Sequence, residues 1–261
     1  MDNMELKLLR EELAQLRKQN DYLCDRAEIE NLIGRYCHLH SSGKDRLVLE
    51  TLMSKSDSTT YEDGASGVYE LHGRIGGIAG CFQKFFGMSD DASVKTTPEP
   101  GRMHGAALSS PVIEIAEDRM TAKGLWMSSG FESRVYPAGE SSGIPSIDRR
   151  TPDSDGVRHA CFWVWSRVAA DFTREDGQWR IWHLHIYDIF RSPYDTDWVT
   201  YAKNDRCADD EAADAMVRCC VPCVHATLPT KFHWQYSSDT TMPDEPQLPS
   251  PYATFSETFS Y

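Results

Sequence analysis

The segment Trp179-Arg180-Ile181-Trp182-His183-Leu184-His185-Ile186-Tyr187 concentrates acid–base side chains in an apolar setting. It follows the turn dipeptide Asp176-Gly177, and its composition predicts a strand. With a period of two, Trp179, Ile181, His183, His185 and Tyr187 share one face, and Arg180, Trp182, Leu184, Ile186 and Asp188 share the other. Two imidazoles and a phenol beside a tryptophan and an isoleucine predict proton-transfer groups set into the wall of an apolar cavity. Imidazole changes charge near neutral pH, so it serves as proton acceptor or donor. The same residues also suit a core strand whose histidines hydrogen-bond to backbone. Which reading holds depends on what the rest of the chain brings to them.

The chain has 261 residues with 40% hydrophobic and 11% aromatic content, enough to bury a sizeable core in one generous domain with appendages. A net charge of −13 argues against nucleic acid as a partner, because phosphate binding needs clustered Lys and Arg. No run of 18 apolar residues predicts a membrane span, and the N-terminus lacks an apolar signal core, so a cytoplasmic location is expected. Reduced thiols follow for the eight cysteines. Cys24, Cys37, Cys81 and Cys161 read as small apolar residues. Cys207, Cys219, Cys220, Cys223 and His225 form the one cluster, but it lacks a second CxxC pair, and structural thiols are the better reading than zinc.

Leu6, Leu9, Leu13, Leu16, Asn20, Leu23 and Ala27 follow alternating steps of three and four, a heptad seam with one polar member. The helix runs on through Ile29, Leu32, Ile33, Tyr36 and Leu39 to the stop Ser41-Ser42-Gly43, and a second helix follows at 45–53. Short strands are predicted at 58–62 and 68–71, and a helix at 75–86 with Ile78, Phe82, Phe85 and Phe86 on its buried side. Long strands follow at 103–115, 119–134, 157–173 and 178–190, with a Ser-, Gly- and Pro-rich loop from 137 to 155 as a lid or rim. A helix at 209–218 precedes a tail dotted with Pro and aromatics. Helices first and a bent antiparallel sheet afterwards give an α+β fold. Trp163, Trp165 and Arg167 fall on one face of the third long strand and Trp182, Leu184 and Ile186 on one face of the fourth, so a large apolar outer surface predicts a homo-oligomer.

The run Ile29-Glu30-Asn31-Leu32-Ile33-Gly34-Arg35-Tyr36 resembles the opening helix of SnoaL-like proteins, in the nuclear-transport-factor-2-like superfamily, as does Asp176-Gly177-Gln178-Trp179-Arg180-Ile181. The His104 strand and the hairpin 113–126 fall where that family places its central strands. The resemblance implies a cone-shaped, curved antiparallel sheet packed on N-terminal helices over residues 26–192. Residues 1–25 then form a heptad helix acting as an oligomer contact, and 193–261 an extension that wraps the surface or a neighbouring subunit. Fold alone licenses no function; in kind, the chain is most similar to scytalone dehydratase and bile-acid 7α-dehydratase. Tyr36, Tyr61 and His104 match those enzymes in type and place. Two matches fail: Cys37 and Ser41 stand where an acid is expected, and Trp126–Ser128 where a partner of the histidine is expected.

The resemblance therefore implies a dehydratase that needs no cofactor and no metal, acting on a small apolar cyclic substrate, a polycyclic or aromatic hydroxy-ketone. His104 is the expected general base, with Tyr36 and Tyr61 as donors to a carbonyl oxygen that becomes an enolate. His183 or His185 is expected to help hydroxide leave. His40, one helical turn after Tyr36, can face the same cavity. Ser128 and Tyr187 are expected to position the substrate, and Trp126, Phe82, Phe85, Phe162 and Trp179 to line or cap the site. The same base and donors without a leaving hydroxide would serve an isomerase or cyclase, and the same pocket without turnover would serve a binding module. A dimer or trimer is expected, with neither nucleic acid nor membrane as partner.

Overall fold

The computed structural model describes residues 3–63, 67–73, 76–89, 91, 93, 100–140, 145–204, 228, 234 and 236–261. The cysteine and histidine cluster at 207–225 and the helix expected at 209–218 lie outside the described residues. Among the described residues no helix is long and apolar enough to cross a membrane.

The chain opens with one long helix, α1 (Asn3–Ser41), followed by α2 (Asp45–Thr51). Two short strands, β1 (Thr60–Asp63) and β2 (Val68–Glu70), lead to α3 (Gly77–Phe86). The long strands are β3 (Met103–Ile115), β4 (Thr121–Pro137), β5 (Val157–Glu175) and β6 (Gln178–Pro193), with the short α4 (Pro145–Asp148) between β4 and β5 and α5 (Trp198–Asn204) after β6. They form a six-stranded sheet in the order β2-β1-β6-β5-β4-β3. Only β1 against β6 is parallel; the other neighbours are antiparallel. The predicted elements thus match closely in place, and the fold is the expected α+β arrangement of a curved, unclosed sheet on N-terminal helices.

Local chemistry explains the curvature. Asp176 and Gly177 both take positive φ (50° and 77°), which sets the right-handed twist of the β5–β6 hairpin. Register shifts at Ser109/Val112 on β3, and at Trp165/Ser166 and Asp171/Phe172 between β5 and β6, bend the sheet around the helices. α1 lays Asp25, Ile29, Leu32, Ile33, Tyr36 and His40 against the sheet. With α2 and α3 it seals a core of Val48, Met53, Phe82, Ile113, Phe172 and Ile181 on the concave side.

One polar knot ties α1 to the sheet. Asp25 is 1% exposed and accepts hydrogen bonds from Arg119 (2.6 Å) and the Trp179 indole (3.2 Å), with Arg174 at 3.2 Å. Burial pushes its carboxyl up, but these donors and charges outweigh that and hold it below the ordinary carboxylate range. A buried charge paired this fully fixes where the helix enters the domain.

The convex side is covered in part by the chain's own last residues. Tyr252 accepts a backbone hydrogen bond from Glu117 (3.1 Å), and Tyr261 packs with Leu125 and Ala169. Elsewhere that face carries Phe131, Trp163 and Trp165, which are 45%, 46% and 41% exposed, the apolar outer surface expected for β5.

Candidate active site

α1 contributes the first two rings. Tyr36 and His40 stand one turn apart and stack at 5.3 Å between centroids with planes 12° apart. The helix ends in a left-handed Gly43 (φ 64°), so the chain reverses and delivers Asp45, at the start of α2, back onto the helix it has just left. His40 Nδ1 lies 2.5 Å from Asp45 Oδ1, and Asp45 is fully buried. The second Asp45 oxygen, Oδ2, is buried without a hydrogen-bond partner among the described residues.

β3 supplies His104, whose ring meets His40 edge-on at 4.6 Å. α3 brings Phe82 and Phe86, spaced to share one helical face. Phe86 contacts both histidines, at 4.4 Å and 5.6 Å, and Phe82 contacts His40 at 5.7 Å. β1 places Tyr61, fully buried, edge-on to Phe82 at 5.0 Å. Tyr36, His40, Phe82, Phe86, His104 and Tyr61 are therefore one connected aromatic cluster between the helices and the concave face.

His104 Nε2 is buried without a hydrogen-bond partner among the described residues. Burial, and secondly the His40 imidazole, lowers its pKa from 6.5 to about 4, against the opposing pull of Asp45 and Glu132. The ring is thus neutral at physiological pH and able to accept a proton. Because the folded pKa lies below the ordinary one, His104 contributes stability in full above pH 6.5 and loses it as the pH falls towards about 4. An NMR titration of the imidazole is expected to give a midpoint near 4; a midpoint at 6 or above would remove the ring from this environment.

The concave face continues beyond His104. Glu132 pairs with His104 in register on β4 and with Phe162 on β5. Although burial pushes its carboxyl up, Arg191 (2.8 Å) and Arg134 bring it down to about 2. Ser166 donates to Asp188 at 2.8 Å, and Ser128, buried, pairs with Ser166 across β4 and β5. Trp126 folds its indole back along the strand over Gly124, where a Cβ would meet the ring at 2.2 Å; it forms a floor against Phe172. Phe162 sits further along the same face with Ile147, Ala160 and Tyr201, under the Arg191 guanidinium at 4.3 Å. The Phe85 side chain lies outside the described residues.

His183, His185 and Tyr187 do not join this group, which corrects the expectation that they share a face with Trp179 and Ile181. Phe172 pairs with Ile181 and Asp171 with His183, so Trp182 is an extra residue that reverses the alternation. Trp179 and Ile181 stay concave and Leu184 and Ile186 become so, while the two histidines and Tyr187 turn to the convex side. For the same reason Leu184 and Ile186 are not part of the outer apolar surface. The sheet thus separates His104 from both of these histidines.

On the convex side His183 Nδ1 lies 2.8 Å from Asp171, and its Nε2 lies 3.2 Å from the Ser58 carbonyl. Asp171 also receives Lys123 (2.5 Å), Ser260 (3.1 Å) and the Tyr261 backbone N–H (3.0 Å). Lys123 is fully buried; it donates to the Phe259 carbonyl and sits 4.5 Å and 4.1 Å from the Phe259 and Tyr261 ring centroids. Burial pushes the Asp171 carboxyl up, and His183 and Lys123 more than reverse this. His185 meets Glu62 at 3.2 Å and Tyr187 at 3.0 Å. Among the described residues, Phe259, Ser260 and Tyr261 of the chain's own tail cover the Lys123–Asp171 part of this second cluster.

The sequence reading missed Asp45, Glu132 and Arg191. Asp45 stands five residues after His40 across a glycine turn, a return that places the two side by side. The bulge also left a trace: apolar 179 and 181 are followed by apolar 184 and 186, a step of three inside a period of two.

A family model described as a SnoaL-like domain matches residues 21–185. No curated protein matches the chain. Solved structures similar to it include a hexachlorocyclohexane dehydrochlorinase from Novosphingobium barchaimii, at 13% identity and TM-score 0.44, covering 69% of this chain and 96% of that one. A protein described as a putative scytalone dehydratase from Novosphingobium aromaticivorans is 10% identical at TM-score 0.44, covering 69% and 94%. A protein of unknown function from Mycobacterium tuberculosis is 14% identical at TM-score 0.43, covering 80% and 99%.

Proposed function

Because the chain belongs to the SnoaL-like domain family, we propose that its concave face is the active site of a lyase that eliminates water from an apolar, cyclic β-hydroxy-ketone without a cofactor. The observation that carries the reading is a pair of touching imidazoles in unlike settings. His104 is neutral with a buried, unused Nε2, and His40 is held at Nδ1 by a buried carboxylate. The ring with a buried nitrogen to spare suits the base, and the ring oriented by a carboxylate suits the acid.

His104 Nε2 takes the proton alpha to the carbonyl, and the electron pair moves onto the carbonyl oxygen. Tyr36 and Tyr61 donate to that oxygen as its charge grows, preorganised donors worth a few kcal/mol. Collapse of the enolate forms the carbon–carbon double bond and breaks the C–OH bond. His40 delivers its Nε2 proton to the departing hydroxyl, Asp45 holding the ring's tautomer and balancing its charge. Water leaves, and the proton on His104 returns to His40 across their contact or through solvent. Phe82, Phe86 and Trp126 supply the apolar surface for a flat ring system, with Ser128 as a polar contact further in.

The test is a panel of fused-ring and aryl β-hydroxy-ketones, followed by growth of the conjugated enone absorbance. Tyr36→Phe is expected to lower kcat by about 10²-fold with KM nearly unchanged, as for loss of one oxyanion donor. Exchange of the alpha hydrogen in D2O without enone formation would replace elimination by isomerisation. Neither exchange nor absorbance with any substrate would remove the enzymatic reading.

A further inference from the structure

Among the described residues, α1 carries through its first six turns a leucine stripe that stays largely in solvent. Leu9, Leu13, Leu16 and Leu23 are 47%, 48%, 61% and 62% exposed, although they form a regular stripe. We propose that residues 5–27 of α1 form a parallel, in-register, two-stranded coiled coil with a second copy of this chain. The proposal is independent of the elimination chemistry.

Three observations carry it. The first is the direction of the stripe. With Leu6, Leu13, Asn20 and Ala27 at heptad position a and Leu9, Leu16 and Leu23 at d, the residues that α1 buries against its own domain fall elsewhere. Asp25 and Leu32 are at f, Ile29 and Tyr36 at c, and Ile33 and His40 at g. At 100° per residue these positions centre nearly opposite the a/d seam. A second helix can therefore run along the seam without meeting the sheet, and the Asp25 knot holds the seam in that direction.

The second observation is charge. Through residue 24 the g positions are Glu5, Glu12 and Gln19, and the e positions are Arg10, Arg17 and Cys24, all solvent-exposed; Arg26, the last g residue, pairs within its own helix with Glu30. In a parallel pair each g residue faces the partner's e residue five places on, so Glu5 meets the partner's Arg10 and Glu12 meets the partner's Arg17. An antiparallel pair would set glutamate against glutamate and arginine against arginine. The charges thus select one orientation.

The third is the seam's own chemistry. Every d position is leucine, and the one polar residue, Asn20, stands at a. Two asparagines opposed at a hydrogen-bond to each other in a two-stranded parallel coil and fix register and strand number, at a cost in stability. The 23 residues from 5 to 27 span about 35 Å, just over three heptads. That length is marginal for free peptides, but here both strands are anchored at one end by a folded domain.

The test uses the full-length chain. Asn20→Cys in a Cys24→Ser background places two thiols face to face only in the parallel, in-register pair. Mild oxidation is expected to give a reducible dimer at least tenfold above the Cys24→Ser control, and Leu16→Glu is expected to abolish it. Carrying Asn20→Cys, a Glu5→Lys/Glu12→Lys chain alone and an Arg10→Glu/Arg17→Glu chain alone should each lose the crosslink at least tenfold. Their mixture should restore it as a heterodimer identified by mass. Every substituted side chain is solvent-exposed, so circular dichroism should show the domain folded throughout. No crosslink from Asn20→Cys, equal crosslinking by the charge variants alone and mixed, or a three-chain mass in sedimentation would each overturn the proposal.

Discussion

Replacing His104 by Phe is expected to lower kcat for elimination by about 10²–10⁴-fold, the range for loss of a positioned general base. The aromatic cluster tolerates the change, because a phenyl ring keeps the contacts with His40 and Phe86 while removing the nitrogen that lacks a partner. The same variant carries a second, opposite signature. Wild-type stability falls between pH 6.5 and about 4 because the unfolded chain binds a proton at this imidazole that the folded chain refuses. Without the imidazole that part of the pH dependence disappears. Urea unfolding at pH 7 and pH 5, beside enone kinetics, checks both. Full activity with an unchanged pH dependence would take His104 out of the site. His40→Gln and Asp45→Asn should each lower kcat as well, and His40→Gln on top of His104→Phe should cost little more, as for residues that act as a unit.

The second large effect is on the other side of the sheet. Lys123→Met should destabilise the protein by roughly 3–5 kcal/mol, because it leaves the Asp171 carboxylate buried without its ammonium partner. The loss should be much smaller in Lys123→Met/Asp171→Leu, where neither charge remains. Urea denaturation measures both; a single variant as stable as the parent would mean that the ion pair is not buried as described. His183→Gln belongs with these variants. It is expected to shift the unfolding midpoint and to leave kcat unchanged at temperatures where the variant is folded.

The sequence was most legible where a local rule applies residue by residue. The Asp176-Gly177 turn, the stop at Gly43 and the alternation of Phe162, Val164, Ser166 and Val168 each depend on a few neighbours, and the elements lie where those rules put them. Tyr36 and Phe82 were readable as inward residues because each sits on a helix with a clear apolar period, whereas Tyr61, on a short polar strand, was legible only through the family resemblance. The phase of β6 was not. A strand that alternates Trp-His-Leu-His-Ile reads equally well in either phase, and the single inserted Trp182 decides which side the imidazoles occupy. Asp45 was hidden for another reason: its role is a contact across a turn, set by how α2 returns onto α1, and no period within either helix encodes it. Glu132 likewise gains its meaning from Arg191, on a strand that is not its neighbour.

The seal over Lys123 has a bearing on how the molecule folds. Phe259, whose carbonyl accepts from the lysine, stands 136 residues beyond it, and Ser260 and Tyr261, which close over Asp171, stand 89 and 90 residues beyond that carboxylate. Contacts so distant along the chain must close long loops before they are rewarded, so this cover forms after the neighbouring strands have paired. Refolding should therefore end with a discrete late step, in which residues 259–261 swing in and shut the two charges out of water.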